Sequence, residues 1–206
     1  MTEFKGLPWR FLRELVFNAI LAVSFASLAY QFLKDFQETG RLSSLFYVLF
    51  ELIVVILAFA RRPPKAVSWH LLDWIYALAA TVLPLLLTPA PTGINWFWFS
   101  VQCVGEAISL IGLLSLNRSL GVVPANRGVK TRGMYRFVRH PIYCGYCIID
   151  VAMVVQNFSN RNITVAVAHL IVQTLRIISE ERFLLQDPIY AEYASRVKWR
   201  LIPAIW

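Results

Sequence analysis

The sequence predicts an all-α integral membrane protein with about six transmembrane helices. Three observations carry that prediction. Hydrophobic residues fill 58% of the 206 positions and charged residues only 16%, with a mean hydropathy of +0.57, a balance far from that of a soluble domain. The apolar residues are gathered into long uninterrupted runs, which in a bilayer must satisfy their own backbone hydrogen bonds and therefore form helices rather than alternating barrel strands. The basic residues behind the net charge of +8 lie between those runs, where they set topology; no nucleic-acid partner is expected.

Taken in order, runs long enough to cross a hydrocarbon core of roughly 30 Å occur at Leu15–Leu33, Ser44–Ala60, Trp69–Thr88 and Trp96–Leu116. Pro84 kinks the third. Two shorter runs follow, Ile142–Gln156 and Ile163–Ser179, joined by the polar turn Asn157–Asn162, and read as a helical hairpin. The N-terminal MTEFKGLPWR is short and mildly basic, and the run behind it is long enough to be retained as a signal anchor. With six spans, Lys5, Arg10, Arg13, Arg61, Arg62, Lys65, the cluster from Arg118 to Arg139, and Arg182, Arg196, Lys198 and Arg200 share one side, against Lys34, Arg41 and Arg161 on the other. The positive-inside rule makes both termini and the long basic loop cytoplasmic.

No internal repeat or low-complexity tract interrupts residues 1–206, which read as a single membrane domain: 1–115 mainly scaffold spans, 116–206 the functional region. In the first span Ser24, Ala26, Ser27 and Ala29 supply small residues for close helix approach. Cys103, Cys144 and Cys147 all sit in or beside apolar runs, so no disulfide framework is implied. The Cys144–Cys147 spacing matches a redox pair but lacks the soluble strand-to-helix context that chemistry uses. The triplets beginning at Asn157 and Asn162 match a glycosylation acceptor, yet so short a turn near the membrane is a poor one. No metal is expected.

Ionisable groups at membrane depth are costly and so mark candidates: Glu51, Asp73, Glu106, Asp150 and Arg176. The sixth run is the most informative, because His169, Gln173, Arg176 and Glu180 fall at i, i+4, i+7 and i+11, one stripe of a helix, with Glu181 beside it. A plain i,i+4 ion pair between Arg176 and Glu180 would use only part of that stripe. The stripe returns to the side that carries the basic segment Arg127–Tyr146, so the two meet. Together with Tyr135, Tyr143, Tyr190, Tyr193 and Trp199 they make a polar pocket suited to a charged cofactor beside an apolar substrate.

The run GVKTRGMYRFVRHPIYCGY, followed by RIISEERFLL and YAEYASRVKWRLIP, resembles the isoprenylcysteine carboxyl methyltransferase and phospholipid N-methyltransferase family of membrane methyltransferases. The resemblance covers Leu116–Trp206. It implies S-adenosylmethionine as cofactor, membrane lipids as surroundings, and a lipophilic acceptor: a prenylcysteine carboxylate, an aminophospholipid or another small lipophile. By position, Gly133, Tyr135, Arg139, His140, Pro141, Tyr143 and Gly145 match the family's cofactor-pocket element, and Tyr190, Tyr193, Arg200 and Pro203 match terminal elements that close the site. Arg176, Glu180 and Glu181 match its catalytic R-x-x-x-E-E element.

Methyl transfer from a sulfonium is an in-line displacement, so the protein's main work is alignment in a water-poor site. An amine acceptor needs a proton acceptor, which Glu180 or Glu181 supplies; a carboxylate acceptor instead needs orientation, which Arg176 supplies. Both remain open at this point. The ending VKWRLIPAIW also resembles the membrane sterol reductases, which implies a nicotinamide cofactor, and a non-catalytic lipid-binding or transport protein is a third alternative.

Overall fold

The computed structural model describes residues 7–88 and 95–206 and is mostly helical among them. Lys5 lies outside the described residues, as do the side chains of Arg10 and Arg13. The chain divides into two compact units, Met1–Pro63 and Pro64–Trp206, with the boundary inside the RRPPK turn.

The first unit is a helix pair, α1 (Leu7–Thr39) and α2 (Leu42–Ala60). Gly40, at φ +69°, ends α1 by turning left-handed and donating its N–H to Phe36 at 2.8 Å, which few side chains other than hydrogen tolerate. Asp35 locks the turn, accepting from Arg41 Nη1 at 3.2 Å and Ser44 Oγ at 2.5 Å. Further along, Phe32 stacks on Tyr47, and Arg61 Nε donates to Asn18 Oδ1 at 2.7 Å. Of the small residues expected at the crossing, only Ala29 is buried. Ser24, Ala26 and Ser27 face outward, and both serine hydroxyls donate to carbonyls four residues back on their own helix.

The second unit holds α3 (Leu71–Val82), α4 (Trp96–Leu116), α5 (Pro141–Gln156), α6 (Asn160–Leu184) and α7 (Pro188–Arg196). At Leu83 α3 gives way to a 3₁₀ turn containing Pro84, as a residue without an N–H requires. Two short strands that the sequence did not announce, β1 (Ala66–Val67) and β2 (Ala125–Asn126), pair antiparallel and tie the segment before α3 to the loop after α4. Helices α4 and α5 pack closely. At their crossing a Cβ on Gly145 would collide with Ser109 Oγ and the Gly105 carbonyl. Ser109 Oγ also donates to the Ile142 carbonyl at 3.1 Å.

The α5–α6 turn is built on Asn162, 1% exposed. Its side chain accepts from Thr88 N at 3.0 Å and donates to the carbonyls of Thr88 and Asn157 at 2.8 and 2.6 Å, while Ser159 Oγ caps α6. An amide used so fully is no glycosylation acceptor.

Among the described residues, three helical stretches are long and apolar enough to cross a membrane: Asn18–Thr39, Trp96–Ser119 and Asn160–Leu184. The apolar helices Ser44–Ala60, Leu71–Leu86 and Pro141–Gln156 are shorter. The sixth run thus outgrows its expected limits, because its polar residues continue the helix inward instead of ending it. Helix α6 is inside-out by the standard of a soluble protein. His169, Gln173 and Arg176 are buried, while Val167, Leu170, Ile171 and Ile178 are about half exposed, the distribution that a lipid surround favours and water does not.

Candidate functional site

Three segments of the second unit converge: the basic segment entering α5, the inner end of α6, and α7 with the tail behind it. Pro141 occupies the first turn of α5, where its missing N–H costs nothing, and Arg139 and His140 lie just outside the helix. Their backbone N–H groups pair with the tail, Arg139 N donating to the Trp199 carbonyl at 2.9 Å and His140 N to that of Arg200 at 2.8 Å.

Glu181 is the meeting point. Arg139 approaches with Nε 2.7 Å from Oε1 and donates through Nη2 to Oε2 at 3.0 Å. His140 Nε2 lies 3.1 Å from Oε1, and Arg200 Nε donates to Oε2 at 2.6 Å. Tyr190 adds a long contact at 3.5 Å. The Glu181 side chain is 3% exposed, so this is a buried carboxylate with two guanidiniums and an imidazole around it, a strong charge-assisted cluster.

Glu180 takes another direction. It accepts the Tyr143 hydroxyl through Oε2 at 2.9 Å, and its second oxygen has no hydrogen-bond partner among the described residues. The Arg176 guanidinium lies 5.0 Å from the Tyr143 ring centroid and donates to the Val122 carbonyl at 2.7 Å. Arg176 and Glu180 therefore meet at Tyr143 rather than in an i,i+4 ion pair. His140 stacks on the same ring, 5.4 Å between centroids and 9° between planes.

Tyr135, Tyr190 and Tyr193 form a buried cluster packed by Leu116, Val129, Leu184, Ala194 and Val197. Tyr193 donates its hydroxyl to the Tyr135 carbonyl at 2.7 Å. Burial pushes all three phenols above their ordinary value; for Tyr190 the Glu181 charge adds to this. Asp187 caps α7 at the Ile189 N–H, 2.9 Å, and accepts from Asn126 Nδ2 at 2.5 Å. Those hydrogen bonds, Asn126 first, hold its carboxyl below the usual range.

Most of the residues singled out by sequence thus come together: Tyr135, Arg139, His140, Tyr143, Arg176, Glu180, Glu181, Tyr190, Tyr193 and Arg200. Others lie apart. Gly145 faces α4, and Gly133, at φ +64°, backs onto Ser115. Pro141 is buried as the first residue of α5. Asp73 accepts from Ser68, Ser179 and Arg182 and so bolts α3 to α6, Glu106 accepts from Gln102 at 3.0 Å, and Glu51 belongs to the first unit. Cys144 and Cys147 are free thiols. The Val122 carbonyl, the Trp199–Arg200 backbone pairing and the Asn126–Asp187 tie were not visible in the sequence; no side-chain pattern announces a backbone acceptor.

Outward apolar faces around an inward polar cluster define an integral membrane protein with a buried polar site. Residues 98–186 match the model of the isoprenylcysteine carboxyl methyltransferase (ICMT) family, the family whose motifs the sequence resembles. The match takes in α4 to the end of α6 and stops before α7 and the tail. The family is one of methyltransferases, which supports an enzyme acting on a lipophilic acceptor and gives no support to a reductase. No individual curated protein matches the chain.

Proposed function

We propose that this protein transfers a methyl group from S-adenosylmethionine to a lipophilic acceptor at the membrane. The observation that carries the reading is the convergence of Arg176 and Glu180 on Tyr143, beside Glu181 held by Arg139, His140 and Arg200. The family match over residues 98–186 supports the class of reaction, and the donor set suits the cofactor. Glu180 keeps a free carboxylate oxygen for a diol or ammonium, Arg176 supplies a cation for a carboxylate, and the phenol rings offer faces for a base or a sulfonium. Bound S-adenosylmethionine would supply an activated methyl group on a cationic sulfur.

The chain's own residues align and exclude water. Glu181, saturated by its partners, acts as a positioning residue that pins the basic segment, α6 and the tail together. Glu180 and Arg176 face the reacting groups. For a carboxylate acceptor of the prenylcysteine type Arg176 orients the anion, and for an amine Glu180 accepts the proton. Tyr135, Tyr190 and Tyr193 shape the surrounding wall, with 116–206 as the functional region of a single membrane domain.

In the membrane, the six apolar helices cross as about six spans, both termini and the site are cytoplasmic, and the acceptor enters from the bilayer. The surplus of basic residues on one side of that arrangement supports the orientation. Calorimetric titration of the purified chain with S-adenosylhomocysteine, with NADPH in a parallel cell, tests the reading. Binding of S-adenosylhomocysteine alone is expected; binding of NADPH alone would move the assignment to a reductase.

A further inference from the structure

Deeper along α6 than Arg176 lies a second polar group that methyl transfer does not use. His169 and Gln173 are each 2% exposed. Asp150 Oδ2 stands 2.6 Å from His169 Nδ1; a carboxylate there accepts a hydrogen bond from Nδ1–H, and in that neutral tautomer Nε2 presents a lone pair. That Nε2, and both the oxygen and the nitrogen of the Gln173 amide, have no hydrogen-bond partner among the described residues. Leaving such groups unmade inside a lipid-facing bundle is costly, and a leucine at either position would remove the cost.

This group is continuous with the proposed site. His140 stacks on Tyr143, Tyr143 lies 6.2 Å from Tyr146, and Tyr146 lies 6.5 Å from His169, centroid to centroid. The four rings form a wall that runs from the Glu181 cluster to the Asp150–His169 couple. Gln173 sits on the same face of α6, between His169 and Arg176. From Gln173 to Glu180 the helix rises about 10 Å.

We propose that Gln173 and His169 form a polar subsite for the interior of the lipophilic acceptor. It takes a neutral amide set within the acceptor's chain about 10 Å from the methylated atom, on the rise of α6. The amide N–H donates to His169 Nε2 and its carbonyl accepts from Gln173 Nε2. A plain hydrocarbon at that depth would leave all three polar atoms unmade. The proposal rests on the methyltransferase reading for which end of the acceptor is methylated; the amide subsite itself stands on the geometry.

Equilibrium binding of two tritiated probes to the full chain in detergent tests it: N-octanoyl-aminohexanoic acid, whose amide interrupts the chain, and pentadecanoic acid, which has the same number of chain atoms and no amide. Wild type is expected to bind the amide probe at least tenfold more tightly. Gln173→Met, an apolar change of similar volume, is expected to erase that preference, and His169→Asn to reduce it. Equal affinity of wild type for the two probes would overturn the proposal, as would a preference unchanged in Gln173→Met. S-adenosylhomocysteine binding, measured on the same preparations, separates the two ideas. Its absence together with amide preference removes the methyltransferase and leaves the subsite; its presence without amide preference does the reverse.

Discussion

Arg200 donates from Nε to Glu181 Oε2 at 2.6 Å, across 19 residues of sequence and from the tail to the last turn of α6. With Arg139 reaching both oxygens of the same carboxylate, the contact closes the tail over the entry to α5. A side chain so engaged is poorly placed to accept a proton from a substrate, whereas its neighbour Glu180 is tied at one oxygen only.

Glu181→Gln keeps the shape and removes the charge, leaving Arg139 and His140 buried without their counter-ion. Breaking a buried pair from one side costs about 3–5 kcal/mol, so a large fall in the melting temperature in detergent is expected. Arg200→Ala removes a partner whose side chain is 35% exposed and is expected to cost about 1 kcal/mol. Equal losses in the two variants would remove Glu181 from its central role.

Arg176→Ala is expected to lower methyl transfer by about a hundredfold or more while S-adenosylhomocysteine still stabilises the protein, because alignment rather than folding is lost. Glu180→Gln separates acceptor classes. A loss of roughly 10²–10⁴ in kcat marks a proton-bearing nucleophile, and a small effect marks a carboxylate. Normal turnover in both variants would exclude the proposed site.

Gly145→Ala forces a methyl group into Ser109 Oγ and the Gly105 carbonyl. Overpacking of this kind costs about 1–3 kcal/mol. Thermal unfolding is expected to show it, with S-adenosylhomocysteine affinity near normal in the folded fraction. Weakened affinity at unchanged melting temperature would instead return Gly145 to the cofactor pocket.

The buried phenols set an alkaline limit. Below pH of about 10 the Tyr190 and Tyr193 hydroxyls are protonated in both folded and unfolded chains and contribute nothing to pH dependence. Above it the unfolded chain releases those protons first, because the folded values are raised, so stability falls as pH rises. Melting scans between neutral and strongly alkaline pH are expected to show a shallower fall in Tyr190→Phe than in wild type. Parallel curves would show that Tyr190 carries none of it.

Much of this was legible from residues alone. Trp96–Leu116 was expected as a run and is found as a helix with the same limits, because its caps coincide with the edges of its apolar sequence. The stripe of His169, Gln173, Arg176 and Glu180 was legible because helical spacing alone puts those side chains on one face, and the bilayer makes that face turn inward. The end of α6 was not legible. The stripe carries the helix to Glu180, but Arg182 to Leu184 lie beyond both the stripe and the apolar run, with no stop signal to mark where the helix ends.

Which acid does what was decided only by the fold. Glu180 and Glu181 are adjacent and chemically equal in sequence, yet successive helical residues point about 100° apart. One therefore reaches Tyr143 and the other meets Arg139, His140 and Arg200, which arrive from segments about forty residues earlier and twenty later in the chain. Composition, run length and spacing determined a helical membrane protein with a polar stripe, since hydrophobicity and helical period are local properties. The pairing of charges across that distance depends on how α4, α5 and α6 pack and where the tail folds back, and only the tertiary structure contains it.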